Sequence, residues 1–177
     1  MLSTNKIIKG DNMAKTNRRA AILALAFGQG ANGTPGKSNE ALAAVVKKFH
    51  EENGFPMFLQ WEIADCISKL IKADRDLVVR KHRAEDKYLD TYEVIAQAWE
   101  FAKRHDIKKV IVAAHPDHMK RCVMVAKKIG FIVEEADTLS VPYDEQSVQE
   151  WTRNKKFFTE QYEPKAMEYY RKLGYID

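Results

Sequence analysis

Two histidines, an aspartate and an arginine fall within residues 115–121 of the stretch AAHPDHMKRC, directly after the apolar run Val110, Ile111 and Val112. His115 and His118 are three residues apart, which on a helix places them on neighbouring faces. A zinc site needs three or four protein ligands, and spacing fixes no third one here, so a metal centre is not the expected chemistry. His118 and Arg121 are also three apart. In the first turn of a helix both can face one anion, together with the free N–H groups of the helix start. An imidazole of ordinary pKa, about 6.5, makes His118 the candidate acid or base of such a site. The plainer assignment is that a histidine caps the helix and Arg121 is solvated or paired with Asp117.

Three other stretches carry related chemistry. FGQGANGTPGKS, residues 27–38, is rich in glycine and ends on a plausible helix cap at Ser38. Its glycines and Asn32 would let backbone approach a phosphate or carboxylate closely. Residues 31–38 also match a relaxed phosphate-binding loop, with Ala31 for the first glycine and then Gly36, Lys37 and Ser38. That motif requires the strand to enter the loop directly and a second strand to end on an aspartate for magnesium. Here Gly28, Gln29 and Gly30 intervene, and FLQWE, LVVRKH and VIVAAH supply no such aspartate, so a flexible turn carrying Lys37 is the simpler reading. Glu62 opens a helix after Trp61, a common place for a carboxylate that does nothing more than offset the helix dipole. Arg80, Lys81, His82 and Arg83 make a local basic cluster, and Asp90 or Thr91 can cap the helix that follows.

Positioning these residues requires strands that end where they begin. Apolar runs at 21–27, 56–60, 77–79, 110–114 and 131–133 read as buried strands, and helical periodicity fills 38–52, 62–73, 90–104 and 116–129. Alternating strands and helices predict βαβ units. Continuous apolar strands predict a sheet covered on both faces, a Rossmann-like α/β three-layer sandwich of about five mainly parallel strands. In such a sheet ligands bind at the carboxyl ends of the strands. The clearest unit is KKVIVAAH, a helix begun by Pro116 and stopped at Gly130, and then FIVEE.

A chain of 177 residues fits one domain, with residues 1–18 as a polar extension and 19–177 as the folded unit. The 29 basic and 25 acidic residues are intermixed, which argues against a nucleic-acid surface and leaves small anionic ligands as partners. Cys66 and Cys122 have no framework spacing and read as buried free thiols of a reducing, cytoplasmic compartment. Lys15, Arg18 and Arg19 before AAILALAF imitate a secretory signal, but that run is short and serves well as a first strand. No run reaches the length of a membrane span. The tail, residues 143–177, is helical and aromatic; Trp151, Phe157, Phe158, Tyr162, Tyr169, Tyr170 and Tyr175 are expected to pack on the sheet or across a homodimer.

From about Ala21 to Val133, and more weakly in the tail LGYI, the order of motifs resembles the YdcF/SanA/ElyC-like domain family, bacterial α/β domains of largely unknown function. The matching features are the glycine-rich turn in FGQGANGTPGKSNEAL, Glu62 in QWEIAD, Thr91, Tyr92 and Glu93 in LDTYEVI, and His118, Met119 and Arg121. The chain departs from the pattern where Gln60 and Trp61 replace a serine and two glycines, where His115 replaces a small hydroxyl residue, and where no arginine lies near Ala43, Ala44 and Val45. The resemblance implies a pocket lined by Gly28, Gly30, Asn32, Glu62, Thr91, Glu93, His118 and Arg121. It implies a nucleotide-like ligand, S-adenosylmethionine being one suggestion; the leading expectation is a small-molecule-binding protein, with a transferase or hydrolase acting on a phosphorylated or nucleotide-like compound as the class if it is an enzyme. Arg121 and the glycine-loop amides would hold the anion, Glu62 or Glu93 would accept hydroxyl hydrogen bonds, and His118 with Glu93 would be the catalytic candidates. Two alternatives are a nucleoside triphosphatase using Lys37 and Ser38, and a non-enzymatic binding or scaffold module.

Overall fold

The computed structural model describes residues 20–177; the expected extension and the basic flank ahead of AAILALAF lie outside the described residues. The strands are β1 (Ala20–Ala24), β2 (Met57–Gln60), β3 (Leu77–Val79), β4 (Lys109–Ala113) and β5 (Ile132–Glu135). They form one all-parallel sheet in the order β3-β2-β1-β4-β5, with β1 central and in register with β4 from Ala20↔Lys109 to Ala24↔Ala113. The helices are α1 (Lys37–Asn53), α2 (Trp61–Cys66), α3 (Thr91–Arg104), α4 (Pro116–Ile129) and a final helix, α5, in which Lys155–Phe157 and Glu163–Lys172 are joined by a π-helical turn, Phe158–Tyr162.

The layers follow from strand alternation. Ala21, Leu23, Val110 and Val112 point into a core shared with α3 and α4. Ile22, Ala24, Ile111 and Ala113 point into a second core shared with α1 and α2. Both faces of the central strands are therefore buried, which is why β1 and β4 read as unbroken apolar runs. The expected Rossmann-like three-layer sandwich is the observed fold.

Three local expectations change. The second helix stops at Cys66 instead of running to residue 73, because Ile67 leaves the helical region (φ −124°, ψ 27°) and a 3-10 turn, Ser68–Leu70, follows. This break turns Ile67, Leu70 and Ile71 into the core. The edge strand β5 is largely solvent-facing, with Ile132 62% exposed, so sheet coverage does not extend to that edge. Both thiols are free as expected, but only Cys122 is buried; Cys66 is exposed.

Among the described residues no helix is long and apolar enough to cross a membrane.

Candidate functional site

The sheet changes winding direction between β1 and β4, and the loops leaving these strands diverge there. A cavity of about 650 Å³ opens at that point on the carboxyl edge. The β1 loop contributes Phe27 and Gly28, β2 contributes Gln60, and α4 contributes His118 and Arg121. The rest of the wall comes from the 82–91 segment and from the tail.

His115 ends the β4 loop as the N-cap of α4, its Nδ1 accepting from the Asp117 N–H at 3.3 Å, with Pro116 in the first turn. Its ring stacks on Phe27 at 3.9 Å between centroids and meets Tyr143 edge-on. Burial pushes the His115 pKa down to about 4, with the nearby Asp117 acting the other way. One turn on, His118 and Arg121 do meet, and Nη2 of Arg121 donates to His118 Nδ1 at 3.2 Å. A guanidinium can only donate, so Nδ1 accepts and the ring proton sits on Nε2. Burial, then the Arg121 charge, holds the His118 pKa well below the usual imidazole range. His118 is thus a neutral donor at Nε2, facing Thr91 Oγ1 at 3.4 Å.

Arg121 is 6% exposed and already has a carboxylate partner. Its Nε donates to Glu163 Oε1 at 3.1 Å, and Glu163 Oε2 lies 2.9 Å from Nη2. The guanidinium also lies over the Tyr170 and Tyr162 rings, 5.1 and 5.9 Å from their centroids. Burial raises the Glu163 carboxyl to about 7 against the opposing pull of Arg121.

The other anticipated residues are placed differently. Thr91 and Gly28 line the cavity; Gly30, Asn32, Glu62 and Glu93 do not. Glu93 is held by Arg83, whose Nε donates at 2.7 Å, and by Gln97 at 2.8 Å. Burial works to raise its pKa, but these hydrogen bonds keep the carboxyl below its ordinary value. Glu62 lies behind Gln60, with Oε1 3.5 Å from the Gln60 amide and Oε2 buried without a partner. Burial pushes its carboxyl up to about 7.

The glycine loop is sealed by the chain itself. Gly36, at φ +84°, leaves room for the Asp144 carboxylate, whose Oδ2 accepts the Lys37 N–H at 3.0 Å; a Cβ on Gly36 would lie 2.7 Å from that oxygen. Ser147 binds the Gln29 backbone, and the buried Asn39 ties Phe27, Gly28 and Pro35 together. The start of α1, where a phosphate would sit in a phosphate-binding loop, therefore holds a carboxylate of this chain.

Sequence reasoning did not place Tyr162, Lys165, Tyr169 and Tyr170 in this wall, although all four line the cavity. The signal was the helical spacing of Phe158, Tyr162, Ala166, Tyr169 and Leu173, which forms one stripe of α5 facing the sheet edge. The stripe passes through the π-helical turn, a feature that often accompanies functional sites. Across the rim, the Gln149 amide donates to the Tyr88 hydroxyl at 3.2 Å.

Comparison of the chain with protein-family models, curated proteins and solved structures gives no match.

Proposed function

We propose that this chain is a cytoplasmic protein that binds a small, ring-bearing, nucleotide-like anion at the carboxyl edge of its sheet. The observation that carries the reading is the composition of the switch-point cavity. Tyr88, Trp151, Tyr162, Tyr169 and Tyr170 line it, and two exposed lysines, Lys87 and Lys165, stand against one carboxylate, Asp90, while the Arg121 charge is offset by Glu163. Flat aromatic walls suit a planar ring, since stacking on such side chains contributes about 1–3 kcal/mol per base. Exposed Lys87 and Lys165 at the rim suit a phosphate in contact with solvent. The resemblance of the motif order to the YdcF/SanA/ElyC-like domains points to the same kind of ligand.

The reading is of binding before turnover. His118 is neutral and both its nitrogens are engaged, which suits it to hold a ligand and not to shuttle protons. The glycine loop is not where we place the ligand, because Asp144 fills the start of α1.

The test is a thermal-shift screen followed by titration calorimetry, with nucleoside 5′-monophosphates and S-adenosylmethionine as probes. A ligand present at a hundred times its Kd stabilises the folded state by about 2.7 kcal/mol, an easily read shift. Tyr169→Ala and Lys165→Ala should weaken binding while Lys37→Ala leaves it unchanged. If no probe shifts the protein and the chain is a stable dimer, the scaffold reading takes its place.

A further inference from the structure

Within the nucleotide-like reading above, on which this inference rests, the walls of the cavity differ in what folding leaves unused. The inner wall is paired within itself: Glu163 holds Arg121, Arg121 donates to His118, and His118 Nε2 faces Thr91. The outer wall is the segment from His82 to Asp90, and two of its cavity-lining side chains keep an unspent hydrogen-bonding atom.

His82 lines the cavity with its side chain 17% exposed. Its Nδ1 lies 2.8 Å from the Ala84 backbone nitrogen, whose N–H can only donate, so Nδ1 accepts and the proton of the neutral ring sits on Nε2. Glu93 Oε2 stands 3.9 Å from Nε2, beyond hydrogen-bond reach, and it already accepts from Arg83. The Nε2–H therefore has no acceptor among the described residues, and it is not sealed from the cavity. Asp90 supplies the opposite polarity. As the N-cap of α3 it accepts the Glu93 N–H at Oδ1, at 2.9 Å, while no described residue donates to Oδ2. The residue is half-buried in the cavity wall, and Oδ2 is likewise not sealed off. Both side chains adjoin Glu93, Asp90 at its backbone and His82 at its carboxylate, which puts the two atoms in one neighbourhood.

An open carboxylate in a site for an anion is unfavourable unless a neutral donor of the ligand reaches it. The imidazole beside it needs an acceptor. A vicinal diol meets both needs, because one hydroxyl can donate to the carboxylate while its neighbour accepts from the ring N–H. Chain order says which part of a nucleotide lies here. Lys87, the exposed rim lysine that suits the phosphate, precedes Asp90 by three residues, so their Cα atoms are at most about 11 Å apart. In a nucleotide the group next to the phosphate is the sugar, and the base beyond it is left to the tyrosines of α5.

We infer that the wall from His82 to Asp90 is a ribose subsite, in which Asp90 accepts from one hydroxyl of the 2′,3′-diol and His82 donates to the other, so that the cavity selects ribonucleotides over their deoxy counterparts.

The experiment is calorimetric titration of the full chain with adenosine and uridine 5′-monophosphates and with the 2′-deoxy and 3′-deoxy form of each. Loss of the hydroxyl that serves Asp90 should weaken binding about tenfold, and loss of the one that serves His82 about threefold, the scales of a charged and a neutral hydrogen bond. Asp90→Asn keeps the helix cap but places an amide where Oδ2 stood, and it should abolish the tenfold step. His82→Asn keeps an acceptor for the Ala84 N–H and removes the Nε2 donor, and it should abolish only the threefold step. Equal binding of ribo and deoxy forms, or a ribo preference untouched by both variants, overturns the ribose subsite and leaves the nucleotide-like reading standing. Absence of binding by every form overturns both.

Discussion

The carboxyl edge of the sheet carries two regions rich in potential chemistry, the start of α1 and the neighbouring starts of α3 and α4, and the chain treats them in opposite ways. At the glycine loop every attractive feature is consumed internally. Asp144 sits on the start of α1, Ser147 holds Gln29, and Asn39 threads the loop from below. At α3 and α4 the polar groups stand on the wall of the cavity: Thr91, His118 and Arg121 all line it. The contrast shows that glycine content and a lysine do not make a phosphate site when the same chain supplies the carboxylate. What distinguishes an open site is polar side chains on the wall of a cavity large enough to use them.

The sharpest way to break this comparison is to remove Arg121. Arg121→Ala strands the buried Glu163 carboxylate and strips the Tyr162 and Tyr170 rings of their cation, which should cost about 3–5 kcal/mol in urea unfolding. Arg121→Met combined with Glu163→Leu should recover most of that loss, because an apolar pair of similar volume avoids both desolvation terms. If the double variant is no better than the single one, Arg121 is held by something other than its carboxylate.

Glu62 gives the next largest effect, with the opposite sign. Its folded pKa, about 7, lies above the ordinary carboxyl value of 4.5, so the ionised form is disfavoured by folding. Stability from this group is fully present below about pH 4.5 and is lost as pH rises to about 7. Glu62→Gln should therefore stabilise the protein at pH 8, by up to the order of 3 kcal/mol, and by little at pH 4. Glu163 is also raised, to about 7, but it remains in both proteins, so the difference between their pH curves isolates Glu62. His115, lowered from 6.5 to about 4, works the other way and costs stability as pH falls through that window. The histidine and carboxylate contributions partly cancel in the unaltered chain, and Glu62→Gln should expose an acid-side slope that was masked.

On the glycine-loop side Asp144→Ala removes the acceptor of the Lys37 N–H and should cost about 1–2 kcal/mol, the usual worth of a helix N-terminal cap. Added phosphate should then recover part of the loss by taking the vacated place, and should do nothing for the unaltered protein. Phosphate stabilising both equally would mean that Asp144 does not block the loop, and the contrast between the two helix starts would fall.

The sequence exposed the fold well because its signals are local: β1 and β4 are unbroken apolar runs, and α4 is bracketed by Pro116 and Gly130. It brought His118, Arg121 and Thr91 together because Thr91 opens α3 and the other two lie in the first two turns of α4, just after β4. What it could not expose were long-range pairings. Glu93 was taken by Arg83, Arg121 by Glu163 some forty residues on, and the start of α1 by Asp144, more than a hundred residues away. The tail was legible as aromatic but not as a cavity wall, because helical spacing defines a stripe without saying which surface of the sheet it will face. The break after Cys66 was hidden by the same apolar residues that suggested a longer helix; Ile67, Leu70 and Ile71 satisfy either reading until the core decides.

The smallest effect is also the most discriminating between the two ends. Lys165 and Lys37 are both exposed lysines, and by composition alone either could hold a phosphate. Lys165 lines the cavity and Lys37 does not. Lys165→Ala should therefore weaken a nucleoside 5′-monophosphate by no more than about fivefold, the range of an exposed ion pair, and leave the parent nucleoside unaffected. Salt should remove the difference, because screening at 1 M shortens the reach of exposed charges to about 3 Å. Lys37→Ala should alter neither ligand at any ionic strength. The nucleoside acts as an internal control, since it lacks the phosphate but still needs the rings and the inner wall. If Lys37→Ala costs as much as Lys165→Ala for the monophosphate, the phosphate lies over the glycine loop, Asp144 must move to admit it, and the two helix starts form one site.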